Sequence, residues 1–191
     1  MNIPDVIKET SDGYFRSSIL DEMLGRREVN CIGEIDMERV NGLIVQLLQL
    51  EKEDPDAQIT MYINSPGGSV VDGLALYDVM QAISCPIRTV CVGMAYSMGA
   101  ILFAAGDKRD MLPHSKIMIH DPLVTHIGGS ALQVQTESKK LLDVRRATNE
   151  ILAKHTGKTI RQIEAKTCRD CYFTAEEAVK FGLADSIIER M

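Results

Sequence analysis

Apolar and polar residues recur with two different periods from Glu28 to the end of the chain. Short runs of strand length alternate with longer stretches that carry apolar residues at helical spacing or are apolar throughout. The predicted strands are 28–35, 59–64, 87–93 and 116–120, and the predicted helices between them are 37–51, 70–83 and 94–105. Strands that alternate with helices in this way predict an α/β domain.

The third quarter of the chain predicts a long helix. Ser130 and Gln133 form a capping box at its start, and Gly157 ends it after about His155. Such a helix would be about 40 Å long, more than the body of the domain needs. A helix that projects in this way usually meets a partner subunit. Shorter elements come after it: helices over 159–166 and 174–181, and a last strand over 183–188.

The first 27 residues differ from the rest in texture. They mix glycines, a proline and charges without a clear period, and they predict an arm or loop. No repeat, low-complexity segment or linker divides the remainder of the chain, so residues 28–191 are predicted to form one domain.

The composition fits one compact domain with an aliphatic core. The chain has 191 residues, 45% of them apolar, with no Trp, four Phe and five Tyr against ten Met. A domain of this size buries roughly 70% of the surface that its unfolded chain exposes. Packing therefore falls mainly to Leu, Ile, Val, Ala and Met.

Charge and cysteine usage narrow the expected partners and compartment. A net charge of −6 argues against a nucleic-acid-binding surface. No apolar run reaches the roughly 18 residues of a membrane span, and charged residues stand where a signal peptide would be apolar. Five scattered cysteines, an odd number, do not form a disulfide framework. We therefore expect a cytoplasmic protein that binds neither nucleic acid nor membrane.

Ser97 is a candidate nucleophile. It lies between a predicted strand and a helical stretch, with the small residues Ala95 and Gly99 on either side. A serine on such a turn resembles a nucleophile elbow, although Ala95 stands where the GxSxG pattern has its first glycine. Alternatively, Ser97 is an ordinary helix N-cap.

A second candidate element is the double glycine that comes after the 59–64 strand. Gly67 and Gly68 permit backbone conformations that point N–H groups into a cleft. The N–H groups of Gly68 and Met98 could form an oxyanion hole. The alternative is a plain type II turn, which the sequence SPGG would also make.

A catalytic serine needs a base, and the base needs an acid that fixes its tautomer. Among the histidines His114, His120, His126 and His155, only His120 ends a buried strand, where its ring could be held rigidly. Asp170 and Asp121 are both candidates for the acid. Asp121 is the next residue after His120, however, and would point to the opposite face of the strand.

Four linked motifs resemble the ClpP family, the proteolytic subunits of the Clp protease. They are YINSPGG (62–68), GMAYSMG (93–99), MIHDP (118–122) and AEEAVKFGLAD (175–185). The resemblance is nearly collinear from about residue 28 to the end. By this resemblance Ser97 is the nucleophile, His120 the general base and then acid, and Asp170 the orienting acid, with Gly68 and Met98 supplying the oxyanion N–H groups. The chain order Ser, His, Asp also disfavours an α/β-hydrolase.

The resemblance implies a crotonase-like spiral of ββα units, with the 130–155 helix as a handle between two stacked heptameric rings and residues 1–27 as an axial loop. It also implies a self-compartmentalising serine endopeptidase that acts on peptides and on unfolded proteins delivered by an AAA+ ATPase. No cofactor is expected, because only the partner ATPase uses ATP.

Several positions depart from the family pattern. Asp121 stands where the family usually has Gln, and a carboxylate close to the imidazole would raise the pKa of His120 and alter the pH optimum. Cys168 and Cys171 form a CxxC around Asp170, which is either a redox switch or two unrelated thiols.

Further departures concern the docking site for the ATPase. Tyr62 is retained there, but Thr60, Ala82 and Asp110 replace aromatic residues, which suggests a weakened pocket. The chain is then a divergent paralogue that needs a second ClpP-type subunit for docking or activation. Two other interpretations are a non-catalytic structural subunit of a mixed ring and a crotonase-type acyl-CoA enzyme.

Overall fold

The computed structural model describes residues 4–11, 13–124 and 128–191. These residues form a mixed α/β fold with a sheet of mainly parallel strands. Within those ranges, no helix combines the length and the apolar character needed to cross a bilayer.

The chain forms nine strands and seven helices over these residues. The strands are β1 (Asp5–Thr10), β2 (Gly13–Ser18), β3 (Glu28–Ile32), β4 (Ile59–Ser65), β5 (Ile87–Tyr96), β6 (Lys108–Met111), β7 (Lys116–Ile119), β8 (Cys171–Thr174) and β9 (Ser186–Ile187). The helices are α1 (Ile19–Gly25), α2 (Met37–Glu53), α3 (Val70–Ala82), α4 (Met98–Ala104), α5 (Ala131–Thr156), α6 (Ile160–Thr167) and α7 (Ala175–Phe181).

The main sheet branches at β5. Its parallel path runs β3-β4-β5-β6-β9, and β7 also pairs with β5 in parallel. The first half of β5 pairs with β6 over 88–91, whereas its second half pairs with β7 over 94–96. β8 then pairs with β7 in the antiparallel direction. The carboxyl ends of β5 and β7 therefore lie side by side, and Ser97 and His120 come directly after them.

The core is aliphatic, as the composition predicts. Among the largest fully buried side chains of the described residues, Phe103 is the one aromatic, and the others are Ile, Leu and Met. The strand β4 alternates between buried and partly exposed residues along its length. The helix α2 covers one face of the sheet with Val40, Leu43, Leu47 and Leu50.

The long helix is confirmed, together with its caps. Ser130 and Gln133 form the reciprocal capping box, and Gly157 ends α5 in the left-handed conformation with φ of 69°. The buried residues of α5 all lie in its last third, at Thr148, Asn149 and Leu152. The first two turns and more of this helix are therefore clear of the core of its own chain.

The prediction of a helix over 94–105 is wrong at its start. β5 continues to Tyr96, because its last residues pair with β7, and α4 begins only at Met98. A run of small apolar residues does not by itself distinguish a buried strand from a buried helix.

Two short strands and the structure of the arm were not predicted. β6 and β8 have only four residues each and carry charged or polar positions. The arm forms a β1–β2 hairpin and then α1, which a Ser18–Asp21 capping box opens, where the sequence predicted an irregular segment.

Candidate active site

Ser97 lies on a strained turn between β5 and α4. Its φ of 54° and ψ of −120° fall in a region that non-glycine residues rarely adopt. The Ser97 N–H donates to the Met118 carbonyl at 2.8 Å, which ties the turn to β7. Its side chain makes no capping hydrogen bond to α4. The alternative interpretation of Ser97 as an ordinary N-cap is therefore wrong, and the hydroxyl is left for another role.

The Gly67–Gly68 turn packs directly against Ser97. A Cβ atom at Gly67, where φ is 99°, would lie 2.7 Å from Ser97 Cβ and 2.8 Å from the Tyr96 carbonyl oxygen. At Gly68, where φ is 150°, a Cβ atom would lie 2.2 Å from the Ile35 carbonyl oxygen. Both positions need glycine, because a side chain would meet backbone atoms that cannot move away cheaply.

The backbone around Gly68 directs its N–H away from Ile35, which lies between β3 and α2. The Ile35 N–H donates to the Gly67 carbonyl, and the Ser69 N–H donates to the Ile35 carbonyl, both at 2.8 Å. In such a parallel bridge the middle residue turns its own N–H to the opposite side. Met98 N lies beside this turn, 3.3 Å from a Cβ atom built at Gly67. Met98 N, one of the two predicted oxyanion donors, thus lies beside the glycine turn that packs against Ser97.

His120 comes directly after β7 and is held against Ser97. Its Nε2 lies 2.8 Å from Ser97 Oγ, which is an ordinary hydrogen-bond distance. Its Nδ1 lies 3.5 Å from Asp170 Oδ1. The His120 side chain is only 14% exposed, whereas that of Asp170, in the turn between α6 and β8, is 57% exposed. The base is thus fixed by burial, and its contact with the acid is looser than its contact with the serine.

Asp121 takes a different partner from the one the sequence suggested. Its Oδ2 accepts a hydrogen bond from Arg145 Nε of α5 at 2.7 Å. Of the two candidate acids, Asp170 is therefore the one whose carboxylate contacts the imidazole. The positive charge of Arg145 therefore opposes the effect that the Asp121 carboxylate alone would have on the pH optimum.

The other histidines do not join this site. His155 Nε2 lies 3.1 Å from the Tyr77 hydroxyl, on the far part of α5, and burial lowers the pKa of His155 to about 4. His114 is exposed in the turn before β7. His126 lies outside the described residues.

A groove that the sequence did not predict adjoins the serine. A small cavity of about 20 Å³ touches Ser97, His120, Val70 and Pro122. Val70 and Pro122 also line a larger groove of about 570 Å³ that runs along α5. Its other lining includes Val71, Leu123, Val124, Leu141 and Val144, with the charged residues Glu137, Lys140 and Asp143. The signal in the sequence was the apolar pair after Pro122, which stays exposed in the structure.

The CxxC sequence around Asp170 forms no disulfide in the structure. Cys168 and Cys171 are both free thiols, and Cys168 is exposed. Over residues 4–11, 13–124 and 128–191, no group of three or more His, Cys, Asp and Glu side chains is arranged to hold a metal ion.

The expected role of Asp110 in a surface docking pocket is wrong. Its carboxylate is fully buried, with the Arg88 guanidinium at 2.6 Å, and it also accepts a hydrogen bond from Ser186. The Arg88 guanidinium and the Ser186 hydroxyl offset the cost of removing the Asp110 carboxylate from water. Thr60 is partly exposed and Ala82 is exposed, so these two positions remain accessible.

The whole of this arrangement falls within a match to a known family. A family model described as Clp protease matches residues 11–191, which include the Ser97 turn, the double glycine, His120 and Asp170. Because the match covers nearly the entire chain and both strands that carry the serine and histidine, this protein belongs to the Clp protease family.

Proposed function

We propose that this protein is a serine endopeptidase that hydrolyses peptide bonds through an acyl-enzyme on Ser97. Membership of the Clp protease family implies a peptidase. The observation that carries the serine mechanism is the 2.8 Å contact between Ser97 Oγ and His120 Nε2 on a strained turn. A serine beside an imidazole base is the arrangement of an activated nucleophile.

In the proposed acylation step, His120 Nε2 takes the proton of the Ser97 hydroxyl as Oγ attacks the scissile carbonyl carbon. The negative charge that develops on the carbonyl oxygen is stabilised by the N–H groups of Gly68 and Met98. When the C–N bond breaks, the imidazolium returns its proton to the leaving amine. In deacylation, His120 Nε2 takes a proton from a water molecule as its oxygen attacks the ester carbon. The imidazolium then returns this proton to Ser97 Oγ as the C–O bond breaks and the acid product leaves.

Asp170 is proposed to orient the imidazole and to stabilise its charged form. Its separation of 3.5 Å from His120 Nδ1 is longer than a good hydrogen bond. Contacts of this kind often tighten only when substrate is bound. We therefore expect Asp170→Asn to lower turnover while leaving peptide binding nearly unchanged.

The groove along α5 supports an extended peptide substrate. Its apolar side chains adjoin the cavity at Ser97, so the residue that precedes the scissile bond would meet an apolar surface. Free peptides and unfolded chains offer such segments, whereas the compact surface of a folded protein does not.

We further propose that the chain assembles as two stacked heptameric rings of crotonase-like spiral subunits, with α5 as the handle between the rings and residues 1–27 as the axial loop. The exposed first part of α5 supports this role. An AAA+ unfoldase would deliver substrates and consume ATP, and the subunit itself would need no cofactor. The loss of aromatic residues at Thr60 and Ala82 supports a need for a second ClpP-type subunit in docking. A cytoplasmic location is part of this proposal.

The test uses a fluorophosphonate probe and a small fluorogenic peptide on the purified full chain. We expect the probe to label Ser97 and the peptide to be cleaved, and Ser97→Ala to abolish both. Ser84→Ala is a matched control, because Ser84 is exposed in the turn between α3 and β5, where its N–H donates to Glu51. If wild-type protein were neither labelled nor active in its assembled form, the chain would instead be the structural subunit of a mixed ring.

A further inference from the structure

Asp121 connects the segment that carries the base to two helices. Its N–H donates to the Thr167 carbonyl at the end of α6, at 2.7 Å. Its carboxylate accepts from Arg145 Nε on α5 at 2.7 Å, and Arg145 Nη1 donates to Glu164 Oε1 on α6 at 3.1 Å. The residue after His120 is thus held by its backbone and by its side chain at once.

The same contacts lie next to the segment that carries the acid. Thr167 is the last residue of α6, and Asp170 comes three residues later. Thr167 Oγ1 donates to Asn149 Oδ1 at 3.2 Å, and both residues are buried. Asn149 lies four residues after Arg145 on the same face of α5. The face of α5 that carries Arg145 and Asn149 therefore holds the base segment and the acid segment in register.

The electrostatics of this cluster depend on Arg145. Two carboxylates belong to the surroundings of His120: Asp170, which lies 3.5 Å from its ring Nδ1, and Asp121, which is the next residue in the chain and pairs with Arg145. Asp121 Oδ1 is buried and has no hydrogen-bond partner among the described residues. The negative charge of Asp121 is therefore balanced through its other oxygen, by Arg145, and this hydrogen bond raises the pKa of the guanidinium. Glu164 accepts from the same guanidinium, so Arg145 balances two carboxylates at once.

We propose that Arg145 is a positioning residue for catalysis: by neutralising Asp121 and joining β7 to α5 and α6, it leaves Asp170 as the single anionic partner of the His120 imidazole. This proposal rests on the proposed serine-peptidase function. Without Arg145, the Asp121 carboxylate would be an uncompensated negative charge one residue away from His120. An uncompensated carboxylate favours the imidazolium, so the base would be protonated at a higher pH than in the wild type.

The decisive measurement is the pH dependence of kcat/KM for the fluorogenic peptide. The acid limb of this profile is the fall in kcat/KM at low pH, where the base is protonated. We expect Arg145→Met to move the acid limb to higher pH, so that at pH values on this limb kcat/KM is lower than in the wild type by on the order of tenfold, with little change in KM. The double variant Arg145→Met with Asp121→Asn removes the uncompensated charge, and its acid limb should return to the wild-type position. A role in packing alone would not be rescued by removing a second contact.

Arg146→Met is the matched control. Arg146 is the next residue on α5, is exposed, and pairs with Glu150 one turn away at 2.8 Å. Its loss should leave the acid limb unchanged. If Arg145→Met does not fold, Arg145→Lys serves instead: it keeps the charge but loses the fork that reaches Glu164, so the acid limb should stay in place while kcat falls several-fold. An Arg145→Lys enzyme with wild-type kcat would contradict the proposal.

A readout that does not need hydrolysis separates this proposal from the proposed function. In protein labelled with ¹³C-histidine, the His120 signal can be assigned with His120→Gln and titrated directly. An unshifted His120 titration in Arg145→Met, or a double variant that keeps the shift of the single one, would overturn the positioning role. Absence of probe labelling in the wild type, with the His120 titration shifted as expected, would overturn only the peptidase.

Discussion

At the scale of single residues, the candidate site depends on backbone conformations with positive φ, which most residues rarely adopt. Ser97 has a positive φ, and the glycine turn that faces it has φ values of 99° and 150°. Strain at a non-glycine position such as Ser97 costs on the order of 1–3 kcal/mol and persists only where the surroundings fix it, whereas glycine adopts a positive φ readily. Here pairing of β5 with β7 fixes the serine, and the bridge to Ile35 fixes the glycines.

Gly67→Ala tests this arrangement. The added methyl group would contact Ser97 Cβ and the Tyr96 carbonyl within 2.8 Å, and alanine disfavours a φ of 99°. We expect kcat to fall by on the order of 10²–10³, because the oxyanion N–H and the serine are displaced together. Unfolding by urea should show a loss of about 1–3 kcal/mol in stability.

Gly42→Ala is the control for Gly67→Ala. Gly42 lies inside α2, and a Cβ atom there would meet no other atom within 4 Å. Alanine should stabilise that helix by about 1 kcal/mol and leave kcat unchanged. Wild-type kcat and stability in Gly67→Ala would contradict our account of the turn.

At the scale of elements, α5 has two different parts. Its last third is anchored: Leu152 is buried, and His155 meets Tyr77 of α3 edge to face at 5.7 Å between ring centroids. Its first part exposes Leu132 and Leu142, which no other residue of the described ranges covers. Arg145 lies between these parts, where the helix passes the candidate site.

The anchored end predicts a dependence of stability on pH. Burial, with help from the nearby charges of Lys154 and Arg109, lowers the pKa of His155 from 6.5 to about 4. The unfolded chain therefore binds this proton at a higher pH than the folded chain does. The contribution of His155 is fully present above pH 6.5 and is lost as the pH falls towards 4.

This dependence can be measured by urea unfolding between about pH 7.5 and 4.5, an interval that spans most of the expected loss. His155→Gln keeps a hydrogen-bonding group near Tyr77 but does not titrate, so its stability should fall less over this interval than that of the wild type. Equal slopes for the two proteins would show that His155 is not buried as neutral imidazole.

At the scale of the whole molecule, the branched sheet and the projecting helix have different roles. The branch at β5 brings Ser97 and His120 together within one chain. The exposed part of α5 carries Leu132 and Leu142, 74% and 62% exposed, and the proposed contact between the rings would cover them.

Leu142→Glu tests the proposed handle. A charge in a covered apolar contact is costly, so sedimentation velocity should show the double ring separating into single heptamers. Leu48→Glu is a control, because Leu48 is also an exposed leucine but lies on α2 and not on the proposed handle. An unchanged sedimentation coefficient in Leu142→Glu would remove α5 from the ring contact.

The sequence was a good guide where local chemistry decides the outcome. The Ser130–Gln133 capping box opens α5 and Gly157 ends it, as their residue types predict. The alternation of short apolar strands with helices indicated the α/β class. The prediction failed over 94–96, because whether small apolar residues extend a strand or begin a helix depends on β7, which lies about twenty residues further on.

Two features of the site depended on contacts between distant segments. The partner of Asp121 is Arg145, 24 residues away, and no spacing in the sequence relates the two. Asp110 looked like a surface residue of a docking pocket, but it is buried against Arg88 of the neighbouring strand.

By itself the sequence determined the class of fold, the long capped helix, the aliphatic core and the residue types that the chemistry needs. These depend on local preferences and on the periodicity of burial, which act over a few residues at a time. Only the tertiary structure decided that Ser97 is strained and uncapped, that Asp170 and not Asp121 meets the imidazole, and that a groove along α5 adjoins the serine. Those outcomes depend on which strands pair and which helix packs over them, and such long-range contacts leave no periodic trace in the chain.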